Sequence, residues 1–271
     1  MQQPFEIRDR DELEGFLRRD AEAQVYALAD LDDVFWPDTR WFAVRGGAGL
    51  AAVCLVLEKL SLPILYAISP PGDTAMRSLL GWLRPTLPDR VFATLGLGLA
   101  AELAVDFDVG ARAEFLKMAL DDAAPLDPPE RAGIERLGVA QLDELRAFYA
   151  HDAYTPEERH GRFFEPYMLE LGPWFGVREA GRLVSVAGVH VVSARTSVAA
   201  LGGIATRPDR RGRGLARALS TALCRALREQ VALIGLNVAA ANASAIRCYR
   251  SIGFREVCRY EELELVRRAK R

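Results

Sequence analysis

Histidine and cysteine are scarce in this chain. Only His151, His160 and His190 occur, with Cys54, Cys224, Cys248 and Cys258, and no two cysteines form a CxxC pair. A metal cage or a disulfide framework therefore has little to draw on, and free thiols in a reducing, cytoplasmic setting are expected. Long apolar runs are missing too. Residues 49–57 and 60–68 are the longest, and Glu58 and Lys59 separate them. Neither approaches the roughly 18 residues that a membrane-spanning helix needs. The opening residues, Met1 to Arg10, are polar and charged, without the apolar centre of a signal peptide. An excess of either charge is also absent: 35 basic against 37 acidic residues leave a net charge of −2. No global field is available to hold nucleic acid or an anionic membrane, so any anion site must be local.

What is present is an ordinary globular balance, 50% hydrophobic and 27% charged, over 271 residues. At about 150 residues per domain, that length suggests two domains. An internal repeat supports them. Residues 41–53 read WFAVRGGAGLAAV and residues 174–186 read WFGVREAGRLVSV, at an offset of 133 with six of 13 positions identical. Each block has the form of a β-hairpin, two apolar runs around a glycine-containing turn.

The surrounding periodicity predicts helices near 10–19 and 21–31, strands near 41–46, 49–58 and 61–68, then a helix near 73–84, a strand near 90–95, a helix near 98–106 and a strand near 112–120. The second half predicts helices near 140–150 and 156–171, strands near 174–179, 182–193 and 196–206, a helix near 213–229, a strand near 231–238, a helix near 242–252 and a strand near 255–264. Both halves run ααβββαβαβ, an α/β (α+β) architecture of two tandem copies, and a repeat this long is no solenoid. The joint, residues 121–130, carries three prolines and reads as an extended linker. Domains over 1–122 and 130–271 follow.

The chemistry concentrates in the second half. A predicted strand ends in Thr206-Arg-Pro-Asp-Arg-Arg-Gly-Arg-Gly-Leu-Ala-Arg217, and a helix follows. Gly212 and Gly214 suit a turn with positive φ or a backbone that approaches a ligand closely. The first helical N–H groups lack intrahelical partners, and the helix dipole is positive at that end, which together suit a phosphate. A generic glycine turn would more often be a simple cap. Here Arg207, Arg210, Arg211, Arg213 and Arg217 surround it, in a strand–turn–helix context. The spacing is not that of a P-loop. A second glycine turn, Gly96-Leu-Gly98, is explained by tight turning and close packing rather than by a dinucleotide. Downstream, Asn242 is a candidate helix N-cap and Gly253 a candidate C-cap, with Ala245 and Tyr249 on the face of Asn242. Taken alone, Tyr249 would be a half-buried core aromatic.

Together the two features resemble the GNAT N-acetyltransferase superfamily. Arg211-Gly-Arg-Gly-Leu-Ala216 satisfies the pattern [Q/R]xxGx[G/A], and Asn242, Ala245, Tyr249, Gly253 and Phe254 satisfy NxxAxxxYxxxGF. The resemblance spans roughly 140–265, and the C-terminal part is also similar to acyltransferases related to glycine N-acyltransferase. It implies that backbone N–H groups of Arg211, Gly212, Arg213, Gly214, Leu215 and Ala216 hold the pyrophosphate of acetyl-CoA. It also implies that Ile204, Ala205 and Thr206 pair with the pantetheine arm and offer an N–H to the acetyl carbonyl. Asn242 would touch the arm, and Tyr249 would act as general acid. No metal is implied.

The amine's base stays open among His190, His160, Glu157 and Glu165. The first half has Ile68-Ser-Pro-Pro-Gly-Asp-Thr74 where the arginine–glycine turn would stand, and no tyrosine in its later helix. It reads as a degenerate copy that extends the sheet or walls the acceptor pocket. The preferred expectation is an acetyl-CoA-dependent transferase for a small amine, monomeric or homodimeric, with no nucleic-acid or membrane partner. An alternative, an aminoacyl-tRNA-dependent transferase of the same fold, would need a basic surface, against which the net charge of −2 and the absence of a basic insertion argue. A non-catalytic acyl-CoA-binding or scaffold module would have Tyr249 turned into the core.

Overall fold

The computed structural model describes residues 3–127, 133–151 and 164–269. The first half runs Phe5–Ile7 (β1), Arg10–Leu17 (α1), Val25–Ala29 (α2), Thr39–Gly46 (β2), Gly49–Leu57 (β3), Ile64–Ala67 (β4), Thr74–Leu83 (α3), Arg90–Gly96 (β5), Ala100–Leu103 (α4) and Phe107–Leu120 (β6). The second runs Ile134–Leu137 (β7), Leu142–Tyr149 (α5), Met168–Leu171 (α6), Trp174–Glu179 (β8), Arg182–Ser193 (β9), Val198–Thr206 (β10), Leu215–Arg228 (α7), Leu233–Ala239 (β11), Ala243–Arg250 (α8) and Phe254–Arg267 (β12). Among the described residues both halves follow βααβββαβαβ. The expected order thus recurs, with a short leading strand added to each copy. Three- and four-residue strands are too brief for periodicity to reveal. Of the helix expected at 156–171, residues 156–163 lie outside the described residues. Strand β6 starts five residues earlier than periodicity suggested, because residues 108–114 are exposed and carry no alternation.

The repeated blocks are hairpins that match in detail. Strand β2 pairs with β3 and slips register between Val44 and Arg45; β8 pairs with β9 and slips between Val177 and Arg178, the positions 133 later. Each slip turns its arginine onto a helix: Arg45 binds Glu12 of α1, and Arg178 binds Glu144 of α5. Trp41 and Trp174 are both fully buried.

Contacts divide the chain into two compact units that differ from the halves 1–122 and 130–271. Unit 1 comprises Met1–Lys117, Val238–Ala241 and Val257–Arg271; unit 2 comprises Met118–Asn237 and Asn242–Glu256. In unit 1 the strands lie in the order β1-β2-β3-β4-β5-β12, with β4–β5 parallel. Strand β12 zips antiparallel along β5 from Tyr260↔Gly96 to Val266↔Arg90. The last strand of the second half therefore completes the first unit's sheet. Leu263 and Leu265 explain its attraction, for they join the core of Phe42, Leu79, Val91 and Phe107. Each buried leucine is worth about 2 kcal/mol. In unit 2 the order is β11-β10-β9-β8-β7, with β10–β11 parallel. Among the described residues no helix is long and apolar enough to cross a membrane.

Unit 1 also buries a charge. Lys117 is 2% exposed, and its Nζ lies 5.0, 5.0 and 4.8 Å from the ring centroids of Tyr26, Tyr66 and Tyr260. Burial pulls its ammonium down from 10.5 to about 8, against the opposing pull of Cys258 and Glu262. A depressed lysine costs stability at every pH below its folded value, to the extent of about 3 kcal/mol here. The cost disappears as pH rises from about 8 to 10.5, because the folded chain releases its proton first. Lys117→Met should therefore resist urea better than the wild type at neutral pH, and the gap should close as pH rises through that window. A gap that stays constant across it would show that the ammonium is not the cause.

Candidate functional site

Strand β10 and helix α7 supply the site, and the chain between them is bent by glycine. Gly212 and Gly214 sit at φ 75° and 72°. Open space surrounds both, so the left-handed backbone, not crowding, is what calls for glycine there. Gly214 is the N-cap of α7 and offers no side-chain oxygen to the first turn. The N–H groups that open this 14-residue helix are thus left without a side-chain cap. Residues 211–214 are exposed, whereas the Leu215 side chain is buried and anchors the turn. The arginines divide. Arg210 is tied to Glu179 and Asp209, each at 2.7 Å, and Arg207 donates to His151 Nε2 at 3.0 Å. Arg211, Arg213 and Arg217 are exposed beside the turn, with Arg211 donating to Thr206 O at 3.4 Å and Arg213 lying 3.8 Å from Glu179.

Helix α3 holds the corresponding place in unit 1 and is built the opposite way. Its N-cap, Asp73, accepts from Ala75 N at 2.9 Å and Met76 N at 3.1 Å. A carboxylate of the chain itself occupies that helix end. The Gly96 turn is likewise accounted for by packing: a Cβ at Gly96 would lie 2.5 Å from Ser69 O, and Gly98 has φ 83°.

The strand leading to the turn is opened along one edge. Parallel pairing of β10 with β11 runs from Val198↔Leu233 to Leu201↔Leu236 and then stops, while pairing with β9 continues to Thr206↔Ser185. Between Gly202 and Ala205 the register with β9 slips again, as two residues oppose one. Residues 202–206, which include Ile204, Ala205 and Thr206, therefore form the stretch that has lost its parallel neighbour. Ser185 secures its end, donating to Ala205 O at 3.1 Å and lying 2.7 Å from Thr206 Oγ1. His190 packs beneath it, with its ring 2.3 Å from where a Cβ on Gly202 would stand. Of the base candidates, His160 and Glu157 lie outside the described residues.

Helix α8 brings the second motif alongside. Asn242 caps it, accepting from Ala245 N at 3.1 Å and from Ser244 Oγ at 3.0 Å. Tyr249 is 8% exposed, and its ring meets Phe254 edge-on at 6.0 Å. Among the described residues its hydroxyl makes no hydrogen bond. Burial, then Cys248 and Cys224, push its pKa above the ordinary tyrosine value. Arg217 of α7 partly offsets the upward push of burial on the Cys248 thiol, which places the two helix motifs within electrostatic reach of each other. Tyr149, on which the motifs are silent, donates from its hydroxyl to Gly203 O. In the sequence it stands out only as one of the aromatic residues Tyr149, Tyr154, Phe163, Phe164 and Tyr167 of one segment.

An open helix N-terminus at the end of a strand that parts from its parallel neighbour is an arrangement whose unpaired N–H groups suit an extended, anionic ligand. The model of the Acetyltransferase (GNAT) family matches residues 130–254. Enzymes of this family are acyltransferases that use acyl-CoA. Solved structures share the fold over nearly the whole chain. A putative GNAT acetyltransferase of Novosphingobium aromaticivorans is 23% identical, with a TM-score of 0.61 over 92% of this chain and 99% of that one. A Drosophila protein is 15% identical, with a TM-score of 0.71 over 97% and 98%. A tandem GNAT protein from the clavulanic acid biosynthesis pathway is 16% identical, with a TM-score of 0.57 over 99% and 100%. No curated protein sequence matches the chain.

The open end of α7 can be tested with inorganic pyrophosphate. At low salt it should raise the thermal midpoint of the wild type. Arg217→Glu should fold as well as the wild type, because a carboxylate in the first turn suits the helix dipole. It should nevertheless lose most of that rise, since its charge competes with the anion. An equal rise in both proteins would remove the anion site from this helix end.

Proposed function

We propose that unit 2 is an acetyl-CoA-dependent N-acetyltransferase that acts on a small primary amine, and that unit 1 is a copy unable to take the cofactor in the same way. The observation that carries this reading is the contrast between the two equivalent helices, α7 opened by Gly214 and α3 closed by Asp73. In this reading the backbone N–H groups of residues 211–216 receive the pyrophosphate, with Arg211, Arg213 and Arg217 adding charge. The pantetheine arm takes the place of the missing parallel neighbour along Ile204, Ala205 and Thr206, and Asn242 borders it.

The neutral amine attacks the thioester carbonyl: a C–N bond forms, the C–S bond breaks, and CoA leaves as the thiolate. Charge building on the carbonyl oxygen is met by a backbone N–H of β10, a type of contact worth about 3 kcal/mol in the transition state. The amine's surplus proton passes to a base, for which His190 against Gly202 is placed beside β10. Tyr249 faces the departing sulfur. Its raised pKa keeps the hydroxyl protonated throughout the working range, so it is always a donor. The same shift makes complete transfer to a free thiolate uphill, so the hydroxyl serves by donating to the sulfur as the C–S bond breaks.

Calorimetry with acetyl-CoA, followed by a panel of primary amines scored by thiol release, tests the reading. Tyr249→Phe should retain acetyl-CoA affinity and lose about 10²-fold in kcat. The wild-type rate should show no alkaline fall from this group through the usual tyrosine range near pH 10, because the folded pKa lies above it. Failure to bind acetyl-CoA, or an unchanged kcat in the variant, would refute the respective part.

A further inference from the structure

Helix α5 precedes both motifs, yet it reaches the strand that carries the site. Tyr149, its last residue, is 9% exposed, and its hydroxyl donates to the carbonyl of Gly203. Gly203 lies in the second bulge of β10 at φ 59°. The tyrosine ring is held on two faces: Phe164 stacks on it at 5.2 Å and 26°, and Phe148 meets it edge-on at 5.3 Å. The indole of Trp174 closes the pocket around the glycine, where a Cβ would stand 2.5 Å from Trp174 Cη2 and 2.8 Å from the Tyr149 hydroxyl. Only glycine fits, and glycine leaves its peptide free to rotate. Something must hold that peptide in one orientation.

No peptide bond here is cis. A trans peptide is planar, and its C=O and N–H point in opposite directions. Pinning the Gly203 carbonyl toward Tyr149 therefore turns the Ile204 N–H away from α5. Ser185 does the same two residues on, since its bond to the Ala205 carbonyl turns the Thr206 N–H away from that side chain. Ile204 lies in the stretch of β10 that has lost its parallel neighbour.

We infer that Tyr149 is a positioning residue for acyl transfer, fixing the Gly203–Ile204 peptide so that the Ile204 N–H is aimed at the thioester carbonyl. The inference rests on the acetyl-CoA reading of unit 2. It assigns a distinct task to the helical segment before the hairpin, which orients a backbone donor without touching the ligand.

The test uses the full chain, acetyl-CoA carrying a ¹³C carbonyl, and Tyr149→Phe, which keeps the ring stacking and removes the hydroxyl. Infrared spectroscopy reads the carbonyl stretch of the bound thioester, and calorimetry reads its affinity. Slow turnover with water as acceptor gives kcat and KM for acetyl-CoA. In the wild type the bound carbonyl stretch should fall below that of free acetyl-CoA. In the variant that fall should largely vanish, and kcat should drop about 10- to 100-fold, with affinity and KM within about twofold of the wild type. A variant that keeps the wild-type carbonyl stretch and kcat would overturn the inference. So would one that loses affinity and thermal midpoint together with kcat, which would mark a purely structural tyrosine. A wild type that fails to bind acetyl-CoA would instead bring down the function assigned to unit 2, and this inference with it.

Discussion

The backbone N–H groups at the start of a helix must find partners outside the helix or remain unpaired. In unit 1 the Asp73 carboxylate supplies partners for α3 from within the chain. In unit 2 the equivalent position is Gly214, which has no side chain to offer, so the first turn of α7 keeps its donors and its positive dipole end available. The arginines around it are secondary. Arg210 is committed to Glu179 and Asp209, and the exposed Arg211, Arg213 and Arg217 leave positive charge beside a turn made of backbone.

The same logic governs β10. A strand inside a sheet spends its N–H and C=O groups on two neighbours. Here pairing with one neighbour ends at Leu201↔Leu236, and the groups of residues 202–206 on that side are released. Release alone would give loose donors, because the stretch contains Gly202 and Gly203. Side chains on the other side restrain it: His190 beneath Gly202, Tyr149 on the Gly203 carbonyl and Ser185 on the Ala205 carbonyl. Donors on one edge are held by acceptors satisfied on the other.

The duplicated hairpins show how one packing solution can carry different tasks. Trp41 and Trp174, and the bulges before Arg45 and Arg178, are placed alike, and each arginine reaches a glutamate on the helix that precedes its hairpin. The copies diverge where the chain leaves the third strand, at a helix capped by Asp73 in one and by Gly214 in the other. Unit 1 also has a feature of its own, Lys117 lying among three tyrosine rings.

The repeated WF blocks, the order of helices and strands, and both site motifs were legible from the amino acids, because periodicity, glycine and caps are local properties of a chain. The leading strands β1 and β7 were not, being too short to show a period. Nor was the extent of β6, whose early residues face solvent and carry no pattern. The choice of partner for β12 was equally hidden. Its alternating residues announce a strand, but pairing along β5 rests on how Leu263 and Leu265 complete a core assembled from residues more than 150 positions earlier. Tyr149 likewise read as one aromatic among several. Its bond to Gly203 joins positions 54 residues apart, and only the folded chain brings them together. Sequence determined which segments form and which glycines bend them, since those depend on neighbours along the chain. Tertiary structure decided which backbone groups are left unpaired and which way they point, since that depends on partners that arrive from elsewhere in the fold.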